Sequence, residues 1–288
     1  MRLAALLSSL LAAGTAAFTA AFTAMASEHL TLGVFPRLKP TEMVRSYQPL
    51  ATYLGERLGR KVELVTSKDF DSFWNGVKQQ RYDIVHYNQY HYIQSSDAYR
   101  VIAHQQEFGR TAVAGALFVR ADSGISDIKQ LRGRRIIFGG GRDAMMSYIA
   151  PRYLLMQAGL NEADFKTEFA VNPPNALLAL YHQQADAAGG GDILIDLPAV
   201  RNAINTGELK MLAATEPLLF LPWAVKRSMP AKLADEIQAI LVGLSDAPAG
   251  RRILEAAQVT GMGAASDKDY DAHRRMTRAV FGPGGIAR

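Results

Sequence analysis

The chain contains no cysteine. Disulfides are therefore excluded, and an ordinary hydrophobic core must hold the fold. Lipid anchoring of an exported protein is excluded as well, because it needs a cysteine at the processed N-terminus. Beyond residue 26 no apolar run is long enough to cross a bilayer. Charge of one sign is not concentrated either. Lys and Arg number 32 against 27 Asp and Glu, a formal net charge of +5, and the basic residues fall in short separate groups such as Arg132, Arg134 and Arg135. A nucleic-acid surface would show a basic stripe with aromatics among the cations, so no nucleic-acid partner is expected. Mild positive charge helps to draw in anionic solutes, although a solvated surface accounts for it equally well.

Catalytic signatures are missing too. There is no Gly-x-Ser-x-Gly elbow, no His-Glu-x-x-His and no Gly-Lys-Ser/Thr phosphate loop. His86 and His91 are five apart, which does not put two imidazoles on one helical face, and no metal or cofactor is expected there. The chain reads as a non-enzyme.

What is present begins with an export signal. Met1 and Arg2 form a short positive start, 3–24 is apolar and small, and Ala24, Met25 and Ala26 give a small-x-small cleavage pattern. We expect 1–26 to be a signal peptide and the remainder to be a soluble periplasmic protein long enough for about two domains.

The mature chain opens as an α/β series. Residues 30–35 read as a buried strand, and Tyr47, Leu50, Ala51, Leu54 and Leu58 share one helical face. Strands at 62–65 and 83–85 follow, with a helix at 70–80 between them, an order that argues for a parallel sheet. A long β-type run, 112–120, leads into a second series. It has strands at 136–138, 165–171, 186–190 and 210–214, and helices at 144–157, 176–184 and 193–204. Two such series joined through long strands predict an α/β protein of two lobes with a cleft between them. The boundaries expected are 27–117 with 215–288 for the first lobe and 118–214 for the second. The helices of the last third are expected to pack back on the first lobe.

Two stretches carry the ligand chemistry. At 136–148 an apolar strand enters Gly139, Gly140 and Gly141 and then a helix start, which aims unpaired backbone N–H groups at a bound group. The match to Gly-x-Gly-x-x-Ala is weak as a dinucleotide signature, because the next strand ends in Asn172, Pro173 and Pro174 and not in an acidic residue. At 82–92 aromatic and imidazole side chains crowd a strand end, which reads as a ligand-facing wall.

In order and spacing the chain resembles the substrate-binding proteins of phosphonate, phosphite and phosphate ABC importers. The likeness rests on Tyr47, Gln48, Pro49 and Leu50 with the Leu-Gly pairs at 54–55 and 58–59, on Tyr82 to Val85 leading to Tyr87 and Asn88, on 127–133, and on 249–254 with 265–270. The resemblance implies a two-lobed type II periplasmic-binding fold. It implies a monomer that captures a small solute, such as a phosphorus oxyanion, between its lobes and docks on a membrane permease driven by an ATPase. Carried over by position, it makes Tyr87 and Phe70 ligand contacts from the first lobe, with Asn88 beside them. The hydroxyl cluster of relatives falls on Ala144, Met145 and Met146, and only Ser147 keeps an oxygen. The histidine position falls near Pro173, close to Asn175, and an acidic residue survives as Asp192. An oxyanion would then lean on the backbone of Gly141 to Met145 and on Arg142, which either chelates it or is neutralised by Asp143 and points outward. The methionines either line a less polar pocket or belong to the core. A sensory accessory that presents a solute to a membrane sensor kinase would have the same fold and pocket.

Overall fold

The helical face read at Tyr47, Leu50, Ala51 and Leu54 is buried to 1% exposure or less, and it turns its helix onto a sheet. The structure, a computed structural model, describes residues 29–285; the expected signal peptide, 1–26, lies outside them. The first unit runs β1 (His29–Val34), α1 (Pro40–Leu58), β2 (Lys61–Val65), α2 (Phe70–Lys78), β3 (Ile84–His86), α3 (Gln89–Ser95) and β4 (Tyr99–Gln106). A two-residue strand, β5 (Ala112–Val113), carries the chain across. The second unit contains β6 (Gly115–Arg120), β7 (Arg135–Gly139), α4 (Ala150–Gln157), β8 (Lys166–Ala170), α5 (Pro173–Tyr181), β9 (Ala187–Gly191), α6 (Pro198–Arg201) and β10 (Leu209–Ala214). The chain returns through β11 (Leu218–Leu219) into β12 (Pro222–Lys226), α7 (Ala231–Val242), α8 (Pro248–Ala256), β13 (Gly261–Ala264) and α9 (Asp271–Phe281).

The six-stranded sheet has the order β13-β4-β12-β3-β1-β2, and the five-stranded sheet β10-β6-β9-β7-β8. In each, the strands followed by helices pair in parallel: β1 with β2 and β3, and β7 with β8 and β9. The returning strands β12 and β6 pair antiparallel. Antiparallel β5 and β11 form a short ribbon where the chain passes between the units. Among the described residues no helix is long and apolar enough to cross a membrane.

Four expectations need correction. The run 112–120 is not one strand. It breaks at Ala114, and β6 already lies in the second sheet from Gly115. The helix expected at 193–204 is a 3-10 turn, Asp192–Asp196, and the four-residue α6. Pro198 forces the preceding Leu197 into an extended conformation (φ −61°, ψ 132°), which ends the first piece. The helix expected from 144 opens with a wide π-turn, Met145–Ile149, before α4 begins at Ala150 with Pro151 in its first turn. Lastly, α7 and α8 do pack into the first unit's core through Ile237, Leu241, Ile253 and Leu254. In contrast, α9 sends Met276 into the second unit's core beside Met145 and Tyr148.

Candidate functional site

At the carboxyl ends of β1 and β4, the first unit presents Arg37 and Glu107 to the space between the units. Proline at 36 and at 40 keeps the segment after β1 out of helix until α1 begins. The Arg37 guanidinium donates to Glu107 and to the Tyr47 hydroxyl, both at 3.4 Å. Burial pulls its pKa down, but Tyr47 and Glu107 more than offset this, so the group stays charged. Glu107 also accepts from Gln105. Beneath them His86 is fully buried and stacked on Trp223 at 4.4 Å, with one ring nitrogen 3.0 Å from the Pro222 carbonyl. Burial first, and the Arg37 charge second, hold His86 down to about 3. It is a neutral support.

The second unit presents its strand ends and helix starts. Gly139 ends β7 where α5 begins. A Cβ there would lie 2.2 Å from Pro173 Cα and 2.3 Å from its nitrogen, so only glycine lets the two backbones approach. The following Gly140 has φ +84°, a conformation open to glycine at little cost. Gly139→Ala is expected to cost about 1–3 kcal/mol by overpacking against backbone. A melting temperature within about 1 °C of the parent would contradict that.

Between the units lies a cavity of about 400 Å³. The first unit lines it with Arg37, Asn88, Gln89, Glu107 and Phe108, and the crossing strands add Val113, Phe220 and Leu221. From the second unit come Ala144, Met145, Met146 and Ser147 at the π-turn, then Pro173 and Pro174 at the start of α5. Gly191, Ile193, Leu194 and Leu197 complete the wall after β9. Most of this surface is apolar. Among the described residues, Arg37 is the one Lys or Arg side chain that lines it, and no group of three or more His, Asp or Glu is placed to hold a metal ion.

The expected site residues divide into two groups. Asn88, Met145, Met146 and Ser147 line the cavity. Asn88 also joins the units: its oxygen accepts from the His91 N–H and caps α3, and its amide donates to the Asp143 carbonyl at 3.2 Å. His91 sits 3.4 Å from the Asp143 carboxylate; burial lowers its pKa to about 4 despite that carboxylate. The Ser147 hydroxyl is committed to the Gly139 carbonyl, so it offers nothing to an anion.

The others lie elsewhere. Tyr87 is fully buried in the first core with its hydroxyl on Ser95 at 3.0 Å. Phe70 packs on Phe35 and His91 at the start of α2. Gly141 lies outside the lining, and Arg142 turns outward to Glu162 (2.7 Å) and the Tyr148 hydroxyl (2.8 Å), over the Tyr148 and Phe169 rings. Asn175 is exposed on α5. Asp192 takes the Arg110 guanidinium at 2.6 Å and the Ala114 N–H at 3.2 Å, which fastens the crossing segment. The aromatic wall expected at 82–92 is likewise interior: Tyr82, Tyr87, Tyr90 and Tyr92 are 6% exposed or less. Of that stretch only Asn88 and Gln89 reach the cavity.

A family model described as ABC transporter, phosphonate, periplasmic substrate-binding protein matches residues 32–270. The chain is 21% identical over 277 residues to the phosphate-import protein PhnD of Mycolicibacterium smegmatis, covering 86% of this chain and 85% of that one. A Xanthomonas citri protein bound to ATP shares the fold with a TM-score of 0.76 at 16% identity, covering 88% of this chain and 97% of that one. PhnD1 of Prochlorococcus marinus in complex with methylphosphonate gives 0.72 at 16% identity, covering 88% and 99%. The two units with a cleft between them are thus the two lobes of a type II periplasmic-binding fold, and the chain belongs to the family of periplasmic substrate-binding proteins of phosphonate ABC transporters.

Proposed function

We propose that this protein is the solute receptor of an ABC importer, working in the periplasm as a monomer, and that its solute is a phosphonate-class oxyanion. The reading is carried by the interlobe cavity, with one guanidinium on one wall and the π-turn backbone of Ala144 to Ser147 opposite. A guanidinium offers planar paired donors to an oxyanion, and a cavity of about 400 Å³ lies in the range of small-molecule sites. The lobes supply separate walls, so a ligand that touches both favours the closed form, which is then the form that docks on a permease.

The test is thermal unfolding of the mature chain with phosphate, phosphite, sulfate, and alkyl- and aminoalkylphosphonates. A ligand at 100 times its Kd stabilises the native state by about 2.7 kcal/mol. At least one phosphonate is expected to raise the melting temperature by several degrees without being turned over. If every phosphonate leaves the transition unmoved, the phosphonate assignment falls.

A further inference from the structure

The cavity's chemistry narrows the solute further, given the reading of the cleft as a phosphonate site. Three polar side chains of the second lobe that were expected at the oxyanion are occupied elsewhere. The Ser147 hydroxyl is on the Gly139 carbonyl, Arg142 is on Glu162 and Tyr148, and Asp192 is on Arg110. In their place the second-lobe wall offers Met145, Met146, Pro173, Ile193, Leu194 and Leu197. Met145 is only 2% exposed, and its sulfur packs 3.9 Å from the Thr277 hydroxyl, which donates to the His273 carbonyl at 2.8 Å. On the first-lobe wall, the single positive charge of Arg37 faces the Glu107 carboxylate. A doubly charged head would meet that carboxylate with few donors to replace its water, a costly exchange. An apolar body against the methionine and leucine wall gains from burial.

We propose that the cleft is specific for a singly charged oxyanion head with an apolar substituent of several carbons: among phosphonates, alkyl and aryl forms rather than phosphate, phosphite or aminoalkyl forms. The head sits at Arg37. The substituent lies along Met145, Met146 and Leu197, where polarizable thioethers adapt to chains of different shape.

The experiment is calorimetric titration of the mature chain with methyl-, propyl-, pentyl- and phenylphosphonate, alongside inorganic phosphate and aminoethylphosphonate. The same chain-length series is run with sulfonates and carboxylates. Each buried methylene tightens binding about fourfold, so the four added between methyl- and pentylphosphonate should raise affinity about 250-fold. Aminoethylphosphonate should bind more weakly than propylphosphonate. Met146→Thr, at a partly exposed position, should flatten the series while the protein still melts cooperatively. Affinity that is level or falling with chain length overturns the proposal, as does phosphate binding more tightly than pentylphosphonate. A gradient among sulfonates or carboxylates with no phosphonate bound supports the apolar cleft and removes the phosphonate reading. Small phosphonates bound without a gradient do the reverse. Absence of binding in all three series removes both.

Discussion

Replacing Arg37 by alanine is expected to weaken binding of the solute about 100-fold or more. Hydrogen bonds to charged groups contribute about 1.5–3 kcal/mol each, and a guanidinium can place two on one oxyanion. Their loss is compounded because Glu107 stays behind as a carboxylate on the same wall, 3.4 Å from where the cation was. Arg37→Lys should recover charge but not the planar fork, and fall between the two. Glu107→Gln should act in the opposite sense and tighten binding of any anion, because it removes a like charge without changing shape. Fold damage is a small part of the expected loss: the Arg37 side chain is 28% exposed. Titration calorimetry of the three variants, each checked by thermal melting, decides the matter. Arg37→Ala binding within about threefold of the parent would remove Arg37 from the site.

The second large effect is acid sensitivity. His86 and His273 are both fully buried. His86 is held to about 3 by burial and then by Arg37, and His273 to about 4 chiefly by burial. Each keeps one ring nitrogen on a carbonyl, Pro222 for His86 and Leu219 for His273. In the unfolded chain an imidazole takes its proton near pH 6.5. These depressed values contribute stability that is whole above pH 6.5 and is lost as pH falls toward the folded values, because only the unfolded state binds protons in that window. Each histidine removes about 1.4 kcal/mol per pH unit. Between pH 6.5 and 5 the pair thus removes about 4 kcal/mol, against a typical total of about 5–15. Urea unfolding at intervals from pH 7.5 to 4.5 should show this slope. His273→Gln, which keeps a donor for Leu219, should reduce it by about one proton. Equal stability at pH 7 and pH 5 would mean that these rings are solvated.

Much of the architecture was legible because it is periodic. The face of α1 repeats at helical spacing, and alternation of short apolar runs with helices occurs twice, so the two parallel sheets followed. The glycine turn after β7 was legible because three successive glycines serve little purpose except close backbone approach, which Pro173 supplies. The site was less readable. Aromatic density at 82–92 looks the same whether tyrosines face a ligand or each other; here Tyr87, Tyr92 and Tyr270 pack edge to face around α3. Arg37 is one cation among 32, marked only by its place after a buried strand. Its partner Glu107 stands 70 residues away, and no local pattern relates them. Nor does the amphipathic face of α9 say which of two cores it will enter.

That helix has a consequence for how the protein is made. The site gathers Arg37 from just after the first strand and Met145 from mid-chain. Thr277, in the final helix, supports Met145 from behind. Pairings this distant in the chain are slow to close. A nascent chain that has released both sheets but not yet α9 would have a cleft with an unsupported wall. A cleft able to hold solute is therefore expected to form late in folding, and ligand binding becomes a measure of whether α9 has docked.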